Sequence, residues 1–221
     1  MHANRLARVV VTAFVLAAVH ASVSAAECKP DTTATANRNR TLFSGVAAFH
    51  FDEVGRSVSV NGTPASMIGG ELGVALCRWP AYTVGLGGEL LVDLTETSYI
   101  APGSPDFHPP LSLQFSSISL TRRWRNPDIV HPMVSLRAGS VDAEYSYYHR
   151  VNGISELHVD GKSSAPFVAP AVGVEISLFK YVTAYIDAGH RFVGRLNTPG
   201  LSNSGLSGTY ASFAMAFGKF R

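Results

Sequence analysis

The chain has 221 residues, a length that suits one domain. Its charged fraction of 15% is well below that of ordinary soluble domains, and its hydrophobic fraction of 46% excludes a disordered chain. The formal net charge of +2 disappears if the amino-terminal segment is removed, because that segment contributes two arginines and no acidic residue. A neutral chain without a clustered basic surface argues against a nucleic-acid partner.

The amino end has the pattern of a secretion signal. Two arginines precede the apolar run 9–19, and the small residues of 22–26 offer a cleavage site. The apolar run is too short for a membrane-spanning helix, which needs about 20 residues. We therefore expect residues 1–26 to be cleaved and residues 27–40 to form a periplasmic segment before one domain over 41–221.

Two cysteines remain in the exported chain, Cys28 and Cys77. An even number of cysteines in an oxidising compartment favours a disulfide between them, with two unbridged thiols as the alternative. Two cysteines without a nearby pair of histidines make a poor metal site, and no pair of histidines has the spacing of metal ligands. No metal and no other cofactor is predicted.

The mature chain has the period-2 alternation of β-strands. In the clearest strand, 82–95, apolar side chains share one parity, and Thr, Gly, Glu and Asp fill the other. Two further strands, 67–79 and 167–179, alternate in the same way. Two of the fainter strands change parity midway, near Ser116-Ser117 and near Gly139-Ser140, and we expect a β-bulge at each place. The five fainter strands are 41–52, 111–125, 133–148, 181–194 and 207–220.

The predicted connections alternate between short and long without exception. The short ones are 78–80, 125–132 and 179–181. The long ones, rich in Gly, Ser, Pro and Asn, are 53–66, 96–110, 149–164 and 195–206. Short turns at one rim and long loops at the other predict an all-β protein, an eight-stranded antiparallel up-and-down barrel.

The two parities favour a transmembrane β-barrel over a soluble, lipocalin-like one. The polar parity consists mainly of Gly, Ala, Ser and Thr with single charges, which suits the narrow lumen of eight strands. The continuous apolar parity then faces lipid, where only helices and closed barrels satisfy every backbone group. A soluble barrel would reverse these two faces.

Aromatic residues collect near the predicted strand ends, as expected for girdles at the two membrane interfaces. With the mature amino end in the periplasm, Cys28 and Cys77 lie on the same side. The periplasmic girdle comprises Trp79, Tyr82, Trp124, Phe179, Tyr181, Phe217 and Phe220. The outer girdle comprises Phe49, Phe51, Phe115, Tyr145, Tyr147, Tyr148, Phe192 and Tyr210.

The segment from Pro170 to Glu175, followed by that from Tyr185 to Phe192, resembles the last hairpins of the OmpA-like and opacity-protein family of small outer-membrane barrels. Members of that family commonly carry a Gly-rich sixth strand, a seventh strand of the pattern Asp-x-Gly-Tyr-Arg-Tyr, and an aromatic residue at the end of the terminal strand. Here a histidine replaces the first tyrosine of that pattern, and an arginine follows the final phenylalanine. The resemblance implies an outer-membrane barrel and is nearly silent on function.

The inward parity carries charges that should pair within the lumen, because an unpaired buried charge is costly. We expect Arg191 to be the central partner of Glu175 or Asp187. Eight strands leave only side-chain-sized space, so a plug is expected and a small ion path is the alternative. The predicted network consists of Glu71, Glu89, Asp93, Arg137, Glu175, Asp187 and Arg191, with Arg123 as a further candidate.

No catalytic residue is predicted, because the mature chain lacks the His-x-Ser pair of the lipid A deacylases. The expected protein is a monomeric, non-enzymatic surface antigen or envelope structural protein that presents four outer loops. Its expected partners are outer-membrane lipid, including lipopolysaccharide, and a host-surface or envelope protein. A lipid A acyl hydrolase with a triad from distant strands and a small-conductance pore are the alternatives. The expected loop contacts are Tyr99, Phe107, His149 and His158.

Overall fold

Eight strands and one short helix make up the fold in a computed structural model. The residues described are 46–60, 63–76, 79–92, 99–101, 108–124, 129–151, 154–179, 182–201 and 203–218. The elements are β1 (Val46–Val60), β2 (Thr63–Leu76), β3 (Trp79–Leu91), β4 (Leu111–Arg123), β5 (Val130–Val151), β6 (Ile154–Phe179), β7 (Val182–Val193), α1 (Asn203–Leu206) and β8 (Gly208–Gly218).

Each strand pairs antiparallel with its sequence neighbours, and β1 pairs with β8. The ring of pairings is a closed barrel in the order β1 to β8, which confirms the predicted eight-stranded, up-and-down architecture. Closure leaves no free edge at either end of the sequence order, because the first strand has the last as its second neighbour. Among the described residues, no helix is long and apolar enough to cross a membrane.

Two of the four predicted long loops are wrong. The segment 53–66 lies almost wholly in β1 and β2, which pair up to Val60 and Thr63. The segment 149–164 lies in β5 and β6, which pair up to Val151 and Ile154. Their Gly-, Ser-, Pro- and Asn-rich composition predicts loops, but the two segments continue as paired strands. The other two long connections, between β3 and β4 and between β7 and β8, stand as predicted.

The barrel has two halves of opposite sidedness. We call the end near Arg123 and Phe179, where β4 and β6 end, the lower end, and the opposite end the upper end. Strand β4 alternates buried and exposed residues from one end to the other. Its buried residues are apolar in the upper half, as Leu113 and Phe115 are, and polar in the lower half, as Ser119 is. Its exposed residues change in the opposite sense.

The predicted β-bulges at the parity changes are absent. Ser116 pairs with Ser140, and Ser117 pairs with Gly139, with no shift of register on either side. The irregularity between β5 and β6 falls instead between Ala143 and Tyr145. The parity change in the sequence therefore marks the level at which the outer face of a regular strand changes from polar to apolar. Close packing of β4 and β5 at this level requires a glycine, since a Cβ on Gly139 would lie 1.9 Å from the Ser116 carbonyl oxygen.

An apolar band covers the outward face of the lower half on the strands whose side chains are described, β2 to β8. On β5 it runs from Val130 to Ala138 through every second residue. Along β3 and the residue after it, the same spacing runs from Tyr82 to Val92, with Gly88 as the one interruption. These lengths match the roughly 9–11 tilted residues with which a strand crosses a bilayer. Large members of the band are strongly exposed: Leu86, Val92, Ile118, Leu136, Val172, Ile186 and Phe213.

Whether an aromatic side chain is exposed or buried depends on the half of the barrel in which it lies, and not only on its closeness to a strand end. At the lower end Trp124, Phe179 and Phe217 are exposed, as a girdle requires, and Tyr82 is half-buried. The outer girdle was largely misplaced, because four of its members are buried inside the upper half: Phe115, Tyr145, Tyr147 and Tyr210. Phe192 is exposed as expected.

Phe51 was also placed at the wrong end. It pairs with Leu72 on one side and with Phe217 on the other, which puts it in the lower half. The error came from ending the first strand at residue 52 when it continues to Val60. The side chains of Trp79, Phe49, Phe51 and Tyr148 and the whole of Tyr181 and Phe220 lie outside the described residues.

Candidate functional site

A charge cluster fills the middle of the lumen around Arg137. Its guanidinium nitrogens lie 3.7 Å from Glu71 Oε2, 3.6 Å from Glu89 Oε1 and 4.0 Å from Asp187 Oδ2. The four residues come from β5, β2, β3 and β7, so the cluster ties strands on opposite sides of the barrel. Four of the predicted network members therefore meet in space, with Arg137 at the centre.

Small neutral residues make room for this cluster and donate two hydrogen bonds to it. The Ser119 hydroxyl donates to Glu71 Oε1 at 2.7 Å, and the Ser212 hydroxyl donates to Asp187 Oδ1. A Cβ on Gly85 would lie 2.3 Å from Glu71 Oε1, so any larger residue there would displace the carboxylate. Glycines at inward positions thus leave the space that the buried carboxylates occupy.

A second ion pair lies nearer the lower end. Arg123 Nε donates to Glu175 Oε2 at 2.5 Å, and Arg123 Nη1 donates to the Thr83 hydroxyl at 2.6 Å. The expected partner of Arg191 is Glu175 or Asp187, but Glu175 is paired with Arg123, and Asp187 lies in the Arg137 cluster. Arg123 is only 4% exposed, so both charges of this pair are held away from water.

Arg191 lies at the boundary between the charged and the apolar interior. Its Nε donates to the Leu206 carbonyl at 2.9 Å, and its guanidinium carbon is 4.5 Å from the centre of the Phe115 ring. Its Nη1 is 3.6 Å from Met67 Sδ. Arg191 therefore anchors the short helix α1 to the barrel wall, a role that the strand pattern did not predict.

A hydrophobic plug closes the upper half. Leu196, Leu201 and Leu206, from the connection between β7 and β8, pack on apolar side chains that face inward from the strands. Leu206 and Tyr145 are fully buried in this cluster. Above the ion pairs, the lumen is therefore filled by an ordinary apolar core.

A hairpin rises above its neighbours at the upper end. Pairing of β5 with β4 stops at Tyr145, and pairing of β6 with β7 stops at Phe167. We call residues 146–166, which continue beyond those points, the outer hairpin. Val151 and Ile154 are its last paired residues.

Two connections dock on the outer hairpin through a tyrosine clasp, which comprises Tyr99, Tyr145, Tyr147 and Asp160. The rings of Tyr99 and Tyr145 stack at 4.4 Å with an interplanar angle of 20°. Tyr99 and Tyr147 donate hydrogen bonds to Asp160 Oδ2 at 2.9 and 3.0 Å. Tyr145 donates to the Pro199 carbonyl at 2.8 Å, which joins the β7–β8 connection to the same structure.

The clasp shifts the titration of its own members. Burial and the hydrogen bond to Asp160 raise the pKa of Tyr99 to about 12. The same two causes raise the pKa of Tyr147. Burial alone would raise the pKa of Asp160, but hydrogen bonds from the two tyrosines and the nearby His158 outweigh it and lower that pKa. At neutral pH the carboxylate is charged and both phenols are neutral donors.

Two of the predicted loop contacts, Tyr99 and His158, meet at Asp160. Tyr99 is engaged in the clasp, and His158 is exposed with its Nε2 atom 3.4 Å from Asp160 Oδ1. His149 lies in β5, and its side chain is outside the description. Phe107, Asp93, Cys28 and Cys77 also fall outside the described residues, so the disulfide stays a prediction.

Sequence reasoning missed a serine–histidine contact at the lower end. Ser177 Oγ lies 3.3 Å from His131 Nε2, across the β5–β6 pairing. The nearest predicted acid on that strand, Glu175, is engaged by Arg123. His131 is buried and faces the lumen, so an acyl chain on the apolar outer wall would not reach the pair.

The sequence matches no protein-family model and no curated protein. Several solved structures are similar in fold to this chain. Neisserial surface protein A matches with a TM-score of 0.49 and 12% identity, over 79% of this chain and 96% of that one. The N-terminal β-barrel domain of Pseudomonas aeruginosa OprF matches with a TM-score of 0.45 and 10% identity, over 77% and 96%. Ail, the attachment invasion locus protein of Yersinia pestis, matches with a TM-score of 0.43 and 13% identity, over 77% and 97%.

These proteins are small outer-membrane barrels, which is the class that the last hairpins resemble. The TM-scores stay below 0.5 and the identities stay between 10% and 13%, so the likeness concerns architecture.

Proposed function

We propose that the chain is a non-enzymatic outer-membrane β-barrel that holds a rigid hairpin and its docked loops above the membrane surface. The observation that carries the proposal is the reversal of sidedness along β4 and β5. Below the reversal, apolar side chains face outward and charges face inward; above it, the arrangement is that of a water-soluble protein. A wall that faces lipid in one half and water in the other accounts for both.

A closed lumen is the second part of the proposal. The Arg137 cluster and the Arg123–Glu175 pair occupy the lower half, and the leucines of the β7–β8 connection occupy the upper half. A continuous water path would have to pass an apolar core and several buried ion pairs. This argues for an anchor with a filled interior and against the small-conductance pore.

The presented surface would serve recognition. The outward face of the outer hairpin and the strands below it carries Asp142, Glu144 and Lys162. The exposed His158 lies on the other face, beside Tyr147 and Asp160. We propose that this surface meets an envelope or host-surface protein, and that the band contacts outer-membrane lipid, including lipopolysaccharide. Export by cleavage of residues 1–26, a Cys28–Cys77 disulfide and a monomeric state complete the proposal.

A gel-mobility experiment tests the membrane barrel. The protein is extracted from outer membranes with detergent and run with and without boiling, because closed barrels resist SDS until heated. A shift in mobility between the two samples is expected. Absence of a shift, with the protein found in the periplasmic fraction, would support a soluble barrel and overturn the proposal.

Planar-bilayer recordings test the closed lumen. The purified barrel is expected to give no discrete current steps, whereas Arg137→Ala should open a path only if the upper plug is also removed. Regular steps from the unaltered protein would contradict the filled interior and favour the pore.

A further inference from the structure

Among the described residues, Arg122 is a cation on the outer wall of the barrel, at the edge of the apolar band. Arg122 is exposed, and it occupies the outward parity of β4 between Leu120 and Trp124. It pairs directly with Tyr82 on β3 and with Val134 on β5. Two residues further along the strand lies the exposed Trp124, so the position is at the lower edge of the band.

Two aromatic rings hold the guanidinium of Arg122. Its central carbon lies 4.7 Å from the centre of the Trp124 ring and 5.6 Å from that of the Tyr82 ring. Both distances are within the range in which a cation is attracted to an aromatic face. The backbone of Trp124 is itself fixed, because its N–H donates to the Pro132 carbonyl at 3.0 Å.

The rings leave the hydrogen-bond donors of Arg122 available. The five N–H groups of a guanidinium lie in its plane and point away from a ring stacked on its face. Within the described residues no carboxylate lies in salt-bridge distance of Arg122. This contrasts with Arg123, the next residue, whose charge is matched by Glu175 inside the barrel.

None of the described residues supplies a counter-charge to Arg122, and at this height the surrounding bilayer can supply one. A lysine or arginine on the lipid-facing wall becomes less costly near the interface, where head groups and water are within reach. Phosphate oxygens match a guanidinium bidentately and form stronger hydrogen bonds than neutral acceptors do. At the level of an aromatic girdle, lipid phosphates are the anions in greatest supply.

We propose that Arg122, Tyr82 and Trp124 form a binding site for the phosphate of an anionic phospholipid in the leaflet at the lower end of the barrel. Arg122 supplies the donors, and the two rings fix its plane and contact the lipid glycerol region. The inference rests on the proposed function, because it requires that the band lies in a bilayer.

Trp124 can report on the lipid beside it. The chain has two tryptophans, so Trp79→Phe leaves Trp124 as the single one. This protein is reconstituted into vesicles of brominated phosphatidylcholine, whose bromine atoms quench a neighbouring tryptophan, mixed with unbrominated phosphatidylglycerol. A matched series contains unbrominated phosphatidylcholine in place of the phosphatidylglycerol. The difference in Trp124 fluorescence gives the relative affinity of the two lipids at this site.

We expect phosphatidylglycerol to be preferred about fivefold, the factor that one basic residue near a membrane surface commonly contributes. Arg122→Gln should reduce the preference to none, and Arg122→Lys should retain part of it. The matched control is Lys162→Gln, which removes a positive charge from the outer hairpin and should leave the preference unchanged. A preference that survives Arg122→Gln, or its absence in the parent protein, would overturn the inference.

Two further arms separate the possible sources of failure. Inorganic phosphate added at the concentration of the anionic lipid should not change the fluorescence; if it abolishes the preference, the site takes a free anion and the lipid assignment is wrong. Brominated phosphatidylcholine alone should quench Trp124 in every variant that shows the boiling-dependent gel shift. Lack of that quenching would contradict membrane insertion itself, and with it the proposed function.

Discussion

The same strands build the lower and upper halves of this barrel, but their outer face is apolar in the lower half and polar in the upper half. In the lower half of β5, Val134 and Leu136 face outward while Arg137 is buried. In the upper half of the same strand, Asp142 and Glu144 are on the outward parity and Tyr145 is buried. The backbone alternation does not change between them. A strand can therefore carry two different solvent preferences in sequence, provided that its register stays regular.

The five predictions below test that contrast, beginning with the lumen of the lower half. Arg137→Met should destabilise the barrel by about 3–5 kcal/mol, because Glu71, Glu89 and Asp187 would keep their buried charges without the central cation. Urea unfolding in phospholipid vesicles measures the change. Lys162→Met is the control, since Lys162 is exposed and lies 3.8 Å from Glu144. Equal effects at the two sites would contradict the assigned role of the cluster.

The Arg123–Glu175 pair allows a sharper version of the same test. Arg123→Met alone should lower the free energy of unfolding by about 3 kcal/mol, because it leaves a buried carboxylate without its counter-charge. Adding Glu175→Gln should recover part of that loss, since no uncompensated charge remains. The four proteins of this cycle are compared by urea unfolding. A double variant that is less stable than the single one would show that Glu175 has another essential contact.

The outer surfaces of the two halves should tolerate charge differently. Leu86→Lys places a cation in the middle of the band, where Leu86 is 63% exposed, and should cost about 2–4 kcal/mol in lipid vesicles. Gln114→Lys on the upper outward face should cost about 0.5 kcal/mol or less. Similar costs at both positions would remove the boundary that we place near Ser116.

The docking of the β7–β8 connection on the outer hairpin depends on Gly161. This residue has a φ of +61°, and a Cβ there would lie 2.8 Å from Pro199 Cδ. Gly161→Ala should cost about 1–2 kcal/mol from backbone strain alone. Gly208→Ala is the control, because its Cβ would meet nothing within 4 Å. Thermal unfolding of the two variants in detergent gives the comparison.

The smallest effect concerns pH at the tyrosine clasp. Because the pKa of Asp160 is lowered, its contribution to stability is present above pH 3.8 and is lost as the pH falls through the lower folded value. The contribution of Tyr99 is present below pH 10.0 and is lost as the pH rises through about 12. Each amounts to about 1 kcal/mol or less, because the cluster is partly open to solvent.

Absorbance titration of the phenols checks the clasp directly. The parent protein should contain a tyrosine that ionises near pH 12, and Tyr99→Phe should remove it. Asp160→Asn keeps a hydrogen-bond acceptor but removes the charge, so it should move that ionisation toward the usual pKa of about 10. A late titration that persists in Tyr99→Phe would assign it to another residue.

The sequence predicted the strand number and most of the inward charges because period-2 alternation is clear along β3, β4 and β7. It failed at the parity changes near Ser116 and Gly139, since alternation alone cannot distinguish a bulge from a change of solvent. For the same reason the polar segments of β1, β2, β5 and β6 were interpreted as loops. The ion-pair partners could not be predicted from the sequence either. Arg123 and Arg191 share the inward parity, and only the relative stagger of the strands decides which one meets Glu175.

The outer hairpin has a consequence for the distance at which this protein meets its surroundings. From Ser140 to Val151 the strand advances about 3.3 Å per residue along a tilted path, so the tip stands roughly 25–30 Å above the band. That distance is about three Debye lengths at physiological ionic strength. A molecule that contacts the tip is therefore screened from the charge of the membrane surface. The salt dependence of such an encounter will report the hairpin's own charges and not those of the surrounding lipid.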